Sequence, residues 1–62
     1  MPIVRVTWFA GRSKAQKDEL AKAITEAVVR IAKTKPESTI ILFEDMAKED
    51  WATGGVLVAD RT

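Results

Sequence analysis

Residues 3–9 read IVRVTWF, and this stretch decides how the chain folds. β-Branched and aromatic residues dominate it, so it predicts a β-strand. Alternation along a strand gives each face its own set of side chains: Val4, Val6 and Trp8 on one, and Ile3, Arg5, Thr7 and Phe9 on the other. Both faces carry large apolar groups, which is typical of a strand covered on both sides, in a parallel sheet or at a subunit interface.

A long amphipathic helix is predicted after this strand. It should run from about Lys14 to about Lys33, because Ser13 opens a Ser-x-x-Gln capping box and Pro36 disfavours helical geometry in the residue before it. Apolar residues at helical spacing predict one buried stripe: Leu20, Ile24, Ala27, Val28 and Ile31. The opposite, polar side is expected to carry Lys17, Asp18, Lys22 and Glu26.

The rest of the chain predicts a second strand and a short final one. Residues 39–43 are nearly all apolar, as in a buried parallel strand. A polar connection follows at 45–50, then a turn at 51–55 and a short strand at 56–58. We therefore predict an α+β fold: a single β-α-β unit with a short C-terminal hairpin strand, forming one domain over residues 1–62.

The size of the chain predicts self-association. A monomer of 62 residues buries only about 60% of the surface that its unfolded chain exposes. Domains this small are usually stabilised by disulfides, a metal or oligomerisation. The sequence has no cysteine and no histidine, while 47% of its residues are hydrophobic. Because the helix covers only one face of the sheet, we expect several copies to pack sheet against sheet.

Charge and hydropathy argue against two classes of partner. Ten basic and nine acidic residues give a net charge of +1. Proteins that bind nucleic acid usually carry a much stronger positive charge. The apolar runs are far shorter than the roughly 20 residues that a membrane helix needs. The N-terminus lacks the basic region and apolar stretch of a signal peptide. We therefore expect a cytoplasmic protein.

Few residues could carry chemistry. The acidic residues of one connection could form paired catalytic carboxylates or an oxygen-ligand metal site, although a solvated loop is the simpler interpretation: Glu44, Asp45, Glu49 and Asp50. Removal of Met1 would instead expose the secondary amine of Pro2. An N-terminal amine has a pKa of ~7.7–8.0. An apolar pocket and a nearby cation would lower that pKa, which makes the amine a usable general base at neutral pH.

Several motifs stand in a characteristic order: Met1-Pro2 at the first strand, Gly11-Arg12-Ser13 at the helix start, Met46-Ala47-Lys48, the aromatic Trp51, and Gly54-Gly55. Over essentially its whole length the chain resembles the 4-oxalocrotonate tautomerase family. The resemblance implies a cofactor-independent isomerase that moves a proton in an enol or unsaturated 2-keto acid carrying a carboxylate. It also implies a homohexamer, a trimer of dimers with sites at subunit boundaries, and a role in aromatic hydrocarbon catabolism.

The resemblance assigns roles to five residues. Pro2 matches the catalytic base, and Arg12 matches an arginine that binds the substrate carboxylate. Trp51 matches an aromatic wall beside the amine, and Phe9 matches a further apolar wall position. Ile40 stands where the best-known members carry a second arginine, which a neighbouring subunit contributes and which helps to polarise the substrate carbonyl.

The residue at position 40 leaves two functions open. Without the second arginine, the substrate is expected to be a monocarboxylate or another keto acid rather than a dicarboxylate held at both ends. The alternative is a non-catalytic or weakly active oligomeric homologue that kept the fold but lost full site function. Retention of Met1 would favour that alternative, because it converts the amine of Pro2 into an amide without basicity.

Overall fold

The protomer consists of a two-stranded parallel sheet with one helix on one face, followed by a small hairpin. In the computed structural model, which describes residues 1–61, β1 spans Ile3–Phe9 and β2 spans Ile40–Met46. The strands pair in parallel, with Ile3 opposite Ile40 and Phe9 opposite Met46. The helix α1, Lys14–Ala32, connects them. The predicted β-α-β unit is therefore confirmed.

The start of α1 follows directly from its sequence. Ser13 Oγ accepts a hydrogen bond from the Gln16 backbone N–H at 3.1 Å, and Gln16 Oε1 accepts one from the Ser13 N–H at 2.9 Å. Two of the free N–H groups at the helix start are thereby satisfied. The helix ends one residue before the predicted Lys33, because that residue adopts a left-handed conformation with φ 59°. A 3₁₀ turn, Pro36–Ser38, then leads into β2.

The stripe predicted on α1 is correct except at its end. Ile31 is 71% exposed, whereas Val28 and Val29 in the same turn are half-buried. The covered stripe thus ends at Val29, and the last three residues of the helix are exposed. The prediction for Lys17 is also wrong, since it is half-buried with the apolar side. The half-buried positions of α1 are Lys17, Leu20, Ala21, Ile24, Thr25, Ala27, Val28 and Val29.

The second strand is longer than residues 39–43. It starts at Ile40 and continues through Met46, so Asp45 and Met46 belong to the strand and not to the polar connection predicted at 45–50, and Glu44 is also part of the strand. The two carboxylates are tolerated there because each has a partner. On the face away from α1, Glu44 accepts a hydrogen bond from Thr7 Oγ1 at 3.0 Å, and Asp45 points to the helix side.

The C-terminal segment forms the predicted hairpin. After a 3₁₀ turn, Lys48–Asp50, the strands β3, Ala52–Thr53, and β4, Val56–Leu57, pair in antiparallel fashion. Gly54 and Gly55 connect them with φ values of 60° and 82°. Two successive positive φ angles suit a two-residue type I′ turn, which favours glycine. The last predicted strand position, Val58, instead begins a 3₁₀ turn, Val58–Asp60.

The isolated protomer is incompletely buried. Within residues 1–61 no side chain is fully buried, and the sheet face away from α1 leaves Ile3 59% and Leu42 40% exposed. The accessible surface is 4855 Å², against about 4,000 Å² for a compact monomer of this mass. The radius of gyration is 14.9 Å, against about 10.6 Å for a compact chain of this length. Both excesses indicate a subunit that is shaped for association.

We expect a lysine at position 42 to weaken self-association. Burying a leucine contributes about 1.5–3 kcal/mol, and an unpaired charge in the same place adds a further cost. Leu42→Lys should therefore raise the dissociation constant of the assembly by at least about tenfold, measured by sedimentation velocity over a concentration series. Ala23→Lys, on the exposed side of α1, is the matched control. Identical sedimentation of both variants would show that the open face is not an interface.

Candidate active site

Two of the five predicted site residues lie at the amino end of the sheet. The Ile40 backbone N–H donates a hydrogen bond to the Pro2 carbonyl oxygen at 3.0 Å. Both residues are half-buried, while Met1 is 86% exposed. The pairing of β1 with β2 thus fixes the backbone of Pro2 at the sheet margin and places Ile40 beside it.

The other three lie at the carboxyl end of β1. The rings of Phe9 and Trp51 contact each other, with centroids 4.4 Å apart and an angle of 45° between their planes. Phe9 is half-buried, whereas the preceding residues on its face of the sheet are exposed. This difference follows from the contact with Trp51, and the two rings form an apolar surface at the carboxyl end of β1.

Arg12 is placed by the turn between β1 and α1. Gly11 has a φ of 126°, a conformation that side chains with a Cβ rarely adopt. Ser13 caps the helix immediately afterwards. Between these fixed positions, Arg12 extends its side chain over the ring of Trp8, with the guanidinium carbon 5.3 Å from the ring centroid. The distance lies within the range of a cation–π contact.

Trp8 is part of a connected cluster that the sequence did not predict. Its Nε1–H donates to Asp45 Oδ1 at 2.6 Å, and Lys17 Nζ binds the other carboxylate oxygen, Oδ2, at 2.5 Å. The ring also stacks on Phe43, with centroids 5.4 Å apart and planes 17° from parallel. A signal was present, since Lys17 precedes Leu20 and Ile24 by three and seven residues and so shares their helix face.

The same cluster lowers the pKa of the Asp45 carboxyl below its usual 3.8. The hydrogen bond from Lys17 is the largest cause, the hydrogen bond from Trp8 is the next, and partial desolvation opposes them. A carboxyl whose pKa is lower in the folded state stabilises the fold above its unfolded pKa. The contribution is lost as the pH falls through the folded pKa. Asp45 is therefore ionised at neutral pH, and its ion pair weakens only in acid.

We expect Asp45→Asn to lower thermal stability at pH 7 and to differ less from the wild type as the pH falls below 3.8. At low pH the wild-type carboxyl is itself uncharged, so both proteins lack the ion pair with Lys17. Thermal melts followed by circular dichroism at pH 7, 5 and 3 measure this. Asp18→Asn is the control, because Asp18 pairs with Lys22 on the exposed helix surface, where ion pairs contribute little. A constant difference at all three pH values would contradict the prediction.

The acidic residues near β2 do not converge into a site. Glu44 and Asp45 point to opposite faces of the sheet and bind Thr7 and Lys17, respectively. Among residues 1–61, no group of three or more potential metal-binding side chains is close enough to hold an ion.

In the same part of the chain, no helix is both long and apolar enough to span a membrane.

The five predicted residues do not meet within one protomer. Pro2 and Phe9 are seven strand positions apart, which corresponds to about 23 Å at 3.3 Å per residue. A groove of about 440 Å³ lies on α1, but its lining includes none of the five: Ala21, Lys22, Thr25, Glu26, Val29, Arg30 and Pro36. The predicted residues of one protomer therefore form two separate groups, an amino-end group around Pro2 and a carboxyl-end group around Arg12.

Comparison with known proteins identifies the family. The sequence model of the family described as "Tautomerase enzyme" matches residues 2–61. A probable tautomerase of Ralstonia nicotianae is 40% identical over 60 residues, which cover 97% of this chain and 92% of the relative.

Solved structures agree with this match. The crystal structure of YwhB, a homologue of 4-oxalocrotonate tautomerase, superposes with a TM-score of 0.91 at 31% identity, covering 98% of this chain and 100% of the other. A heterohexameric 4-oxalocrotonate tautomerase from Chloroflexus aurantiacus gives a TM-score of 0.84 at 28% identity, with 97% of each chain covered. The observed α+β fold is thus that of the 4-oxalocrotonate tautomerases. The chain belongs to the tautomerase family.

Proposed function

We propose that the protein is a cofactor-independent tautomerase that uses the amine of Pro2, after removal of Met1, as its general base. The observation that carries the proposal is the family match, which extends from Pro2 through residue 61. The substrate is a small enol or unsaturated 2-keto acid with a carboxylate. The base takes a proton from one position of the substrate and returns it to another, so the reaction needs no second reactant.

The amine of Pro2 suits this role in a poorly solvated site. A terminal amine has an ordinary pKa of ~7.7–8.0. An apolar wall and a nearby guanidinium both disfavour its protonated form and lower that pKa. Phe9 and Trp51 form such a wall, and Arg12 lies at the same end of β1. A base held neutral near physiological pH contributes about 10²–10⁴-fold to proton transfer.

If Pro2 and Arg12 act in one site, their positions at opposite ends of β1 mean that two neighbouring protomers share it. β1 has β2 on one side and a free edge on the other. Antiparallel pairing of two β1 edges would give a four-stranded sheet and bring the Pro2 end of one protomer to the Arg12 end of its neighbour. The hexameric relative from Chloroflexus aurantiacus supports assembly of this kind. We propose a homohexamer, a trimer of dimers, for this chain.

Arg12 binds the substrate carboxylate in this scheme. A guanidinium presents a planar set of N–H donors that can hold both carboxylate oxygens. Ile40, at the start of β2, offers an apolar side chain at the position where the family carries a second cation from a neighbouring subunit. Loss of one preorganised donor typically lowers the rate by ~10²–10³-fold. The native substrate is therefore a monocarboxylate, or a keto acid whose second end is apolar, rather than a dicarboxylate.

Intact mass and tautomerase activity measured on one sample test the proposal. We expect a species lighter by one methionine that converts phenylenolpyruvate, a monocarboxylate, more efficiently than 2-hydroxymuconate, a dicarboxylate. The order of the two kcat/KM values tests the role of Ile40. A processed protein that converts neither substrate would point to an inactive homologue that kept only the fold.

A further inference from the structure

We propose that Trp8 is a positioning residue, whose indole ring is fixed by Asp45 and holds the guanidinium of Arg12 where it can take a carboxylate. The inference rests on the proposed function in one respect, namely that the ligand of Arg12 is the substrate carboxylate. The contact between Trp8 and Arg12 is a property of the structure itself. None of the motifs that indicate the family includes Trp8.

Arg12 needs such a support because its backbone alone does not place its guanidinium. Gly11 and the capping box at Ser13 fix the turn. The arginine side chain nevertheless has four rotatable bonds and is exposed. Ordering a long charged side chain costs conformational entropy. A contact that orders the side chain before the substrate arrives removes part of this cost from binding.

The indole ring is itself held from two directions. Its Nε1–H donates to Asp45 Oδ1 at 2.6 Å, and its ring stacks on Phe43 at a centroid distance of 5.4 Å. Asp45 is held in turn by Lys17 through its other oxygen. The result is a chain of contacts from α1 through β2 and β1 to the guanidinium. A ring fixed in this way is a rigid support.

An aromatic support suits an arginine that must bind an anion. A carboxylate neighbour would accept the N–H donors of Arg12 and cancel its charge. An aromatic ring has no lone pair in that position, so the contact leaves those donors available and the charge uncompensated. Within residues 1–61 the structure gives Arg12 no hydrogen bond or ion pair to an acidic side chain.

Three variants test separately what the indole ring, its N–H donor and the charge of Asp45 contribute to the placement of Arg12. Trp8→Leu removes the ring. Trp8→Phe keeps an aromatic face without the N–H donor, and Asp45→Asn keeps an acceptor for the indole but not the charge. For phenylenolpyruvate we expect Trp8→Leu to raise KM by about 5- to 30-fold, with a smaller change in kcat. Asp45→Asn, which keeps the ring and an acceptor for its N–H, should lie nearest the wild type, and Trp8→Phe, which keeps only an aromatic face, should lie between it and Trp8→Leu.

A double-mutant cycle distinguishes positioning from a general structural role. If Trp8 acts through Arg12, Trp8→Leu should change kcat/KM by less than about twofold when Arg12 is already alanine. An equal loss in both backgrounds would overturn the proposal, because Trp8 would then matter only for folding or assembly. Sedimentation and circular dichroism of Trp8→Leu establish that it assembles. If it does not, Trp8→Phe and Asp45→Asn are used in the same cycle.

The contact also has a readout that requires no catalysis. Protons near an aromatic ring have altered NMR shifts, so the δ-methylene protons of Arg12 should move when Trp8 becomes leucine and keep part of their shift in Trp8→Phe. Unchanged Arg12 resonances in Trp8→Leu would overturn the inference. Failure of the wild type to convert either substrate would instead refute the proposed function, so the two failures are distinguishable.

Discussion

Protein that retains Met1 is expected to have a kcat/KM about 10²–10⁴-fold below that of the processed form, which is the range of a lost general base. The nitrogen of Pro2 is then part of an amide and has no basicity near neutral pH. Met1 is 86% exposed, so its presence should leave the fold intact. The retained form can be produced in cells whose methionine aminopeptidase is inhibited, and both forms are assayed with phenylenolpyruvate.

The matched control is the same preparation after trimming in vitro with a methionine aminopeptidase. Activity should return in proportion to the processed species seen by intact mass. Pro2→Ala adds a second comparison, because a processed alanine still ends in a primary amine. We expect a strong loss for this variant, but a smaller one than for retained Met1. Equal rates for the retained and processed forms would exclude Pro2 as the base.

The parts of the fold that the sequence predicted are those controlled by local rules. β1 was predicted at its observed bounds, because alternation over seven residues is a strong strand pattern. The start of α1 was predicted because Ser13 and Gln16 form a capping box that is independent of tertiary contacts. Both signals act over neighbouring residues and need no knowledge of the rest of the molecule.

The errors in the fold occurred where tertiary partners outweigh local preference. Glu44 and Asp45 have low strand propensity, but Thr7 on β1 and Lys17 on α1 bind their carboxylates and allow β2 to continue through them. Lys17 was assigned to the polar side of the helix by its charge, although its position along the helix placed it on the covered side. Charge was a poorer guide here than periodicity.

The candidate site was found through motifs, but its geometry was not. Pro2 and Arg12 stand out in the sequence only in combination with the later motifs. The predicted strand over residues 3–9 implies that they lie at opposite ends of the sheet, but the motifs do not show how they would meet in one site. The cluster around Trp8 was missed for a similar reason, since it joins residues from two strands and the helix. Residues that only the tertiary structure brings together leave no local pattern.

Replacement of Arg12 by alanine is expected to lower kcat/KM for phenylenolpyruvate by about 10²-fold, mainly through a higher KM. The charged hydrogen bonds to the carboxylate are made both before and during proton transfer, so their loss weakens binding throughout. Arg12→Lys keeps the charge without the two-point geometry and should lose less. With the methyl ester of the substrate, Arg12→Ala should equal the wild type. An equal loss on acid and ester would show that Arg12 does not bind the carboxylate.

The division of the site gives this variant a further use. Protein that retains Met1 lacks the base, and Arg12→Ala lacks the cation, so each is expected to be nearly inactive alone. If Pro2 and Arg12 of one site come from different protomers, refolding an equal mixture should restore roughly a quarter of the wild-type sites, because half of the pairs are mixed and each mixed pair has one complete site. Mixing without refolding is the control. No recovery after refolding, with hybrid assemblies confirmed by mass, would contradict a site shared between protomers.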